Sequence, residues 1–240
     1  MTRLDTEQQR LYPDAADGHT RALVLGLARP ADWTLLRAVW QGVQADLELP
    51  APAIAVSGTD SYQLWFSLAQ PVALEQAQRF LEQLRQRYLP DVARSRILVW
   101  PQADAALAGS VHRAPAVPAR QEATGNWSAF VSPDLPAVFG EDPWLDMAPG
   151  LDAQAELLSR LKCIQPDEWI HALQRLNPAE TSPALPAEGL AQTKPPEPIG
   201  NAPMEPRQFL MSVMNDASAP LALRVEAAKA LLPWPPHGAP

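Results

Sequence analysis

The sequence predicts an α+β domain with the element order β-α-β-β-α-β, a ferredoxin-like or RRM-like arrangement in which two helices cover one face of an antiparallel sheet. Three observations lead to this fold class. Apolar runs of strand length alternate with longer segments whose apolar residues recur at helical spacing. Proline stands at or near the end of most of these segments. Turn-forming residues, Gly58 to Ser61, separate two of the apolar runs, as in a β-hairpin.

The first half of this pattern is a strand followed by a helix. Residues 21–28, RALVLGLA, form an apolar run that ends before Pro30. Asp32 is of a residue type that caps helix N-termini, and the segment 33–47 follows it. Its apolar residues recur at helical spacing: Trp33, Leu36, Trp40, Val43 and Leu47.

The second half is a hairpin, a helix and a last strand. Strands at 53–57 and 62–68 flank the turn, a helix is expected at 72–88, and 95–100 is a strand that Pro101 ends. After this core we expect smaller elements: an added strand at 127–131 and short helices near 133–139, 151–163 and 166–176.

Proline divides the chain. Eight of the 27 prolines in these 240 residues lie between Pro178 and Pro206, in a stretch with few large apolar residues. Such a segment cannot bury enough surface to fold and is typical of a semi-rigid linker. The predicted organisation is a flexible N-terminal segment at 1–20, an α+β domain at 21–177, a proline-rich linker at 178–204 and a helical hairpin tail at 205–233.

Charge and composition exclude several classes of protein. Nineteen basic residues against 27 acidic ones give a net charge of −8, so a strongly basic nucleic-acid binder is excluded. There is no apolar run of about 18 residues, so we expect no membrane span, and without a visible secretory signal we expect a cytoplasmic protein. The four histidines lack ligand spacing, and Cys163 is the single cysteine, so neither a metal site nor a cofactor is expected.

The turn between the central strands carries the most specific pattern. In the segment 57–66, SGTDSYQLWF, small polar residues offer N–H and hydroxyl donors suited to an anion such as phosphate. An ordinary hairpin turn is the alternative. The helix expected at 72–88 carries three arginines, Arg79, Arg85 and Arg87. These arginines form either a solvated face or a modest nucleic-acid contact.

This hairpin and the segment SLAQPVALEQAQRFLEQL after it resemble the second motif region of archaeo-eukaryotic-type primases, particularly plasmid and phage replication primases. The matching residues are Ser57, Gly58, Tyr62, Gln63 and Trp65. The segment 112–131 is similar to the arginine-proline segment of such proteins, through Arg113, Pro115 and Thr124-Gly125. The resemblance implies a palm-like domain that binds single-stranded nucleic acid or a nucleotide, with these binding residues: Ser57, Gly58, Thr59, Tyr62, Gln63 and Arg113.

The departures from this family concern the metal-binding carboxylates. Gly26 and Ala28 stand where the first strand of an active primase would carry an Asp-x-Asp pair, and the strand at 95–100 has no acid. We expect Asp32 to cap a helix, and Asp104 lies in a small-residue loop. The resemblance therefore implies a pseudoenzyme with no catalytic residues and no metal. Two alternatives stay open: a protein–protein adaptor with no nucleic-acid function, and an active primase whose carboxylates lie elsewhere.

The tail is expected to bind a partner. Two amphipathic helices within 205–232 are too short to form a core of their own. Their apolar stripes supply the partner-binding candidates Phe209, Leu210, Val213 and Leu231. This segment also resembles short helical segments of phage DNA-packaging small-subunit proteins, which implies a phage or other mobile-element setting. Folding back onto the chain's own body is the alternative.

Overall fold

The computed structural model describes residues 1–13, 18–103 and 111–177. The chain divides into two compact units, Met1–Ala184 and Leu185–Pro240, and the described residues all belong to the first. The predicted linker and tail lie outside the described residues, as do Asp104 and the partner-binding candidates Phe209, Leu210, Val213 and Leu231.

The first unit has mixed α+β structure, as the sequence predicts. Its strands are β1 (His19–Ala28), β2 (Ala53–Val56), β3 (Ser61–Ala73), β4 (Ile97–Trp100), β5 (Gln102–Ala103), β6 (Val111–His112) and β7 (Ala129–Val131). Its helices are α1 (Arg3–Leu11), α2 (Trp33–Ala45), α3 (Leu74–Tyr88), α4 (Pro136–Phe139), α5 (Leu151–Ser159) and α6 (Pro166–Leu176). In the described parts of the chain, no helix combines the length and the apolar character needed to cross a membrane.

A five-stranded antiparallel sheet lies at the centre, with the strand order β4-β1-β3-β2-β7. The added strand expected at 127–131 is β7, which pairs with β2 at the sheet edge. β5 and β6 pair separately with each other. Asp32 caps α2 as predicted, because its Oδ1 accepts a hydrogen bond from Leu35 N at 3.1 Å.

β3 is longer than the sequence predicts. The strand was expected to end at residue 68, before Pro71, but it continues to Ala73. Its ladder with β1 shifts between Thr20 and Ala22, so the residues opposite, which include Pro71, bulge out of the regular pairing. A residue in a bulge does not have to donate a backbone hydrogen bond to the neighbouring strand. Proline, which has no N–H, can therefore lie within β3 at this point.

Helices cover both faces of the sheet, whereas the predicted arrangement covers one. Side chains alternate between the two faces along each strand. One face packs on α2, α3 and α6 through a large apolar core that includes Leu25, Tyr62 and Phe80. The other face packs on α1 and α5 through a second core that includes Trp65 and Phe130.

Part of the N-terminal segment 1–20, which the sequence predicts to be flexible, is helical: α1 (Arg3–Leu11) folds onto the sheet. Thr2 and Asp5 form a capping box in which each side chain accepts a hydrogen bond from the other's backbone N–H. Leu4 and Leu11 are buried in the second core. Arg10 Nη2 also donates to Leu158 O of α5 at 2.9 Å. The sequence signal is weak because only these two leucines in nine residues are apolar.

A buried glutamine of α5 completes the sheet edge. Gln154 Oε1 accepts from Phe130 N at 2.7 Å, and Gln154 Nε2 donates to Phe130 O at 2.9 Å. The amide therefore bonds the backbone of β7 as a further strand would. An edge strand covered in this way cannot pair with another chain at that point.

Candidate functional site

The turn at 57–61 uses its polar groups within the protein. Ser57 N donates to Ser61 O at 2.9 Å, and Ser57 Oγ accepts from Thr59 N at 3.1 Å and from Ser61 N at 3.0 Å. Asp60, exposed in the same turn, adds a negative charge. These contacts account for the small polar residues as parts of a hairpin turn, which is the alternative interpretation of the sequence pattern.

Gly58 lies under neighbouring chain segments. Its φ is +80°, and a Cβ at this position would lie 2.7 Å from Ser128 N. Gly58 N donates to Pro143 O at 3.0 Å. Glycine is therefore required here both by the positive φ and by the close backbone approach, and its N–H is not directed at a ligand.

Tyr62 and Gln63 are buried in the protein. Tyr62 Oη lies 2.8 Å from Pro136 O and 2.7 Å from Gly140 O, and its ring packs on Trp33. Gln63 is 3% exposed, and its Oε1 accepts from Trp65 Nε1 at 2.9 Å. In this structure the two side chains hold the fold together and do not face solvent.

Gly26 and Ala28, which stand where a primase would carry metal-binding carboxylates, both lie in β1. A Cβ added at Gly26 would lie 3.2 Å from Leu98 Cβ and 3.3 Å from Tyr62 O, so even alanine would require these neighbours to shift by a few tenths of an ångström. Ala28 is buried at the end of β1. Across residues 1–13, 18–103 and 111–177, no three His, Cys, Asp or Glu side chains converge in a way that could hold a metal ion.

A pocket of about 290 Å³ lies on the α1 face of the sheet. Sequence reasoning did not find it, because it is bounded by α1, by β1 and β3, and by the segment 113–117, which are far apart in the chain. Four aromatic side chains line it: Tyr12, Trp65, Trp100 and Phe130. Its volume is close to the lower end of the range usual for small-molecule sites, about 300 Å³.

The strand register places two tryptophans in one row. Val24 of β1 pairs with Trp65 of β3 on one side and with Trp100 of β4 on the other. Paired residues of neighbouring strands share a face, so both indoles leave the sheet on the pocket side. Trp65 is almost fully buried, whereas Trp100 is half-buried.

Three of the aromatic rings fix one another. Tyr12 and Trp65 meet edge to face with centroids 5.2 Å apart, and Trp65 and Phe130 do so at 5.7 Å. Tyr12 and Phe130 stack at 6.2 Å. Burial raises the pKa of Tyr12 well above its usual range. The closed end of the pocket is therefore rigid and apolar before any ligand enters.

The rim of the pocket is polar and carries a cation. Gln8, His19 and Arg113 line it, whereas Thr20, another polar lining residue, is buried and bonded to the backbone of Ala22. Gln8 Nε2 donates to Val117 O at 2.6 Å, which ties α1 to the segment 113–117. His19 and Arg113 are exposed, and each also has an interaction within the protein. A guanidinium has five N–H donors, so Arg113 can contact more than one group at a time.

Of the six predicted binding residues, Arg113 alone lines this pocket; Ser57, Gly58, Thr59, Tyr62 and Gln63 do not. Trp65, which carried part of the primase resemblance, forms a wall. A usable signal was present: Trp65 and Trp100 each stand in a predicted strand, and Thr2 with Asp5 has capping-box spacing. What the sequence did not supply was the register that brings them together.

Two of the three arginines predicted to form a face of α3 are engaged in ion pairs. Arg85 pairs with Glu82 at 2.7 Å, and Arg87 pairs with Asp46 at 3.5 Å while lying over the ring of Tyr88. Arg79 lines a shallow groove between α3 and α6. These contacts fit the interpretation of a solvated face better than that of a nucleic-acid contact.

No protein-family model matches the chain, and no curated protein matches it.

Proposed function

We propose that this chain is a catalytically inactive primase-fold protein of a phage, plasmid or other mobile element. It binds single-stranded nucleic acid or a nucleotide weakly, and it recruits a protein partner through residues 205–232. The family rests on the resemblance around Tyr62 and Arg113. The binding site is the aromatic pocket, because the turn at 57–61 uses its donors internally.

The topology of the sheet supports the ferredoxin-like part of this proposal. The order β4-β1-β3-β2 with antiparallel pairing, and with α2 and α3 packed in one core, is the arrangement expected of a split βαβ domain. In this interpretation β7 is an addition at the sheet edge, and α1 and α5 are additions on the second face.

The observation that carries the binding proposal is the row of Trp65 and Trp100 beside Arg113. An aromatic wall stacks on a nucleobase regardless of its identity, and such stacking contributes about 1–3 kcal/mol per base. A guanidinium at the rim suits a phosphate. The half-buried Trp100 is the ring with an accessible surface.

The absence of catalysis is supported by residues along β1 and after it. Gly26 and Ala28 carry no carboxylate, and Asp32 is used to cap α2. The positions that the resemblance assigns to metal ligands therefore lack oxygen donors, which Mg²⁺ requires.

The experiment is a salt titration of binding to a fluorescent single-stranded oligonucleotide, followed by anisotropy with the full chain. We expect log affinity to fall linearly with log salt, and Trp100→Ala to weaken binding by tenfold or more. Trp144→Ala is the matched control, since Trp144 is equally half-buried but lies outside the pocket. Equal effects of both variants, or no binding at low salt, would overturn the proposal.

An adaptor without a nucleic-acid function is the second candidate, and the net charge of −8 favours it. Repulsion between the negatively charged chain and the phosphates lowers the affinity that any of its pockets can reach for nucleic acid. If the oligonucleotide does not bind, while partners are captured by the full chain and lost on removal of 205–232, the adaptor is the better account.

A further inference from the structure

We infer that the aromatic pocket takes one nucleotide unit, a nucleobase together with its own phosphate monoester, and that it does not take the interior of a strand. This inference rests on the proposed function and specifies its ligand. The unit has two sources, a free mononucleotide and the phosphorylated end of a single strand, and both present the same chemistry to the pocket.

The size of the pocket limits it to one base. Its volume is about 290 Å³, and Tyr12, Trp65 and Phe130 close its inner end by packing against one another. Because close-packed rings leave no second gap between them, a second base cannot stack behind the first.

The rest of this sheet face offers no open row of positions for a strand: the next cavity, of about 230 Å³ against Ala53 and Leu158, shares only Phe130 with the residues that line the aromatic pocket. Beyond Trp65, the face carries Ala53 and Ala55, which are buried in the same core as Leu158 of α5. On the next row toward the turn, Gln63 is 3% exposed, and its amide oxygen is occupied by Trp65 Nε1. An open RRM-type sheet stacks two or three bases on such positions, and here those positions are buried.

The rim supplies a cationic contact for a single phosphate. Arg113 is an exposed residue of the pocket lining, as is His19, and Trp100, which also lines the pocket, is half-buried. The whole chain carries a net charge of −8, so a long polyphosphate backbone gains little from extended contact. Affinity should therefore depend on one charge-assisted contact and not on strand length. A monoester has more charge than an internal diester, which favours the end of a strand.

The test compares ligands with and without the terminal phosphate, by isothermal titration of the full chain at low salt. The probes are thymidine 5′-monophosphate, thymidine, an eight-residue oligothymidylate with or without a 5′-phosphate, the same oligomer with a 3′-phosphate, and a closed circle of single-stranded DNA. We expect the monophosphate and one end-phosphorylated oligomer to bind with similar affinity. We expect thymidine to bind at least tenfold more weakly, and the circle not to bind.

Two variants assign the contacts. Arg113→Gln should weaken binding of the monophosphate about tenfold and leave the weaker binding of thymidine unchanged, whereas Trp100→Ala should weaken both. Arg120→Gln is the matched control, because Arg120 is an exposed arginine of the same segment but does not line the pocket. It should leave both affinities unchanged.

The outcomes separate this inference from the proposed function. If the circle binds as tightly as the end-phosphorylated oligomer and Trp100→Ala weakens both, nucleic-acid binding stands and the single-nucleotide inference is wrong. If no nucleotide or oligomer binds, both are wrong. Binding of a proline-rich peptide that Trp100→Ala abolishes, with no nucleotide binding, would also overturn both, since it would identify the pocket as a peptide site.

Discussion

Trp65 donates its indole N–H to the side-chain amide oxygen of Gln63 at 2.9 Å, and the two residues stand on the same face of β3. Gln63 is 3% exposed and Trp65 is 7% exposed. The contact explains why a polar residue stands in a buried strand: without it, the indole N–H would be buried with no acceptor. The Gln63 that carries the primase resemblance therefore has a structural reason of its own.

We predict that Gln63→Met lowers the free energy of unfolding by about 1–3 kcal/mol, the cost of a buried donor left without a partner. The same substitution in a Trp65→Phe background should cost less, because phenylalanine has no N–H to satisfy. Urea unfolding of the four proteins in the cycle gives the coupling, expected at about 0.5–3 kcal/mol. If the effects of Gln63→Met and Trp65→Phe on the free energy of unfolding are additive, the hydrogen bond between the two side chains does not explain the cost of Gln63→Met.

A second prediction concerns the contribution of α1 to stability. Leu11 is fully buried, and its carbonyl oxygen accepts from Ser67 Oγ at 2.7 Å. Leu11→Ala should lower the free energy of unfolding by about 2–5 kcal/mol, the range for removing a buried leucine side chain. Gln9→Ala, on the exposed side of the same helix, should change it by less than about 0.5 kcal/mol. Both effects are measured by urea unfolding. A small effect at both positions would contradict the packing of α1 and would favour the flexible N-terminal segment that the sequence predicts.

These contacts mark where sequence reasoning succeeds and where it stops. The hairpin around Gly58 and the cap at Asp32 could be predicted because a few neighbouring residues determine each of them. α1 was missed because Leu4 and Leu11 alone do not make a periodic pattern, and its helix depends on packing against α5.

The candidate site was less predictable than the fold. Trp65 and Trp100 meet across Val24 only because β1 pairs with both β3 and β4 in one register. A slip of one residue would send each side chain to the opposite face, and no local signal determines that register. Arg113 was identified from a resemblance, and its position at the rim is a tertiary property.

Asp32 distinguishes a helix cap from a metal ligand. Asp32→Asn should leave stability nearly unchanged, because asparagine caps helices about as well as aspartate, whereas Asp32→Ala should lower it by about 0.5–2 kcal/mol. Thermal unfolding of both variants measures this. In a primer-synthesis assay with manganese or magnesium, neither variant should differ from the parent chain. Activity in the parent that Asp32→Asn abolishes would show that the carboxylate binds metal.

The raised pKa values of the three tyrosines lead us to predict a loss of stability at high pH. Burial, followed by the nearby negative charge of Asp142, raises the pKa of Tyr62 to about 12, and burial with the hydrogen bond to Asp46 raises that of Tyr88 to about 12. The pKa of Tyr12 is also raised by burial. An unfolded tyrosine has a pKa of about 10. Between these values the folded chain holds protons that the unfolded chain has released.

The sign of the pH dependence follows from this difference. Below pH 10 both states are protonated and the raised pKa values have no effect; as pH rises from about 10 toward about 12, the unfolded state is increasingly favoured. The free energy of unfolding should therefore be flat from pH 8 to 10 and then fall.

Absorbance at 295 nm, read beside circular dichroism, tests this directly. Tyrosinate should not form in the folded chain at pH 10, and its appearance should coincide with unfolding. Tyr62→Phe should reduce the slope of stability against pH above 10. At neutral pH it should cost about 1 kcal/mol, because the carbonyls of Pro136 and Gly140 lose their donor. Tyrosinate absorbance near pH 10 from a chain that is still folded would mean that the hydroxyls are open to solvent and that the packing around Tyr62 is looser than these contacts imply.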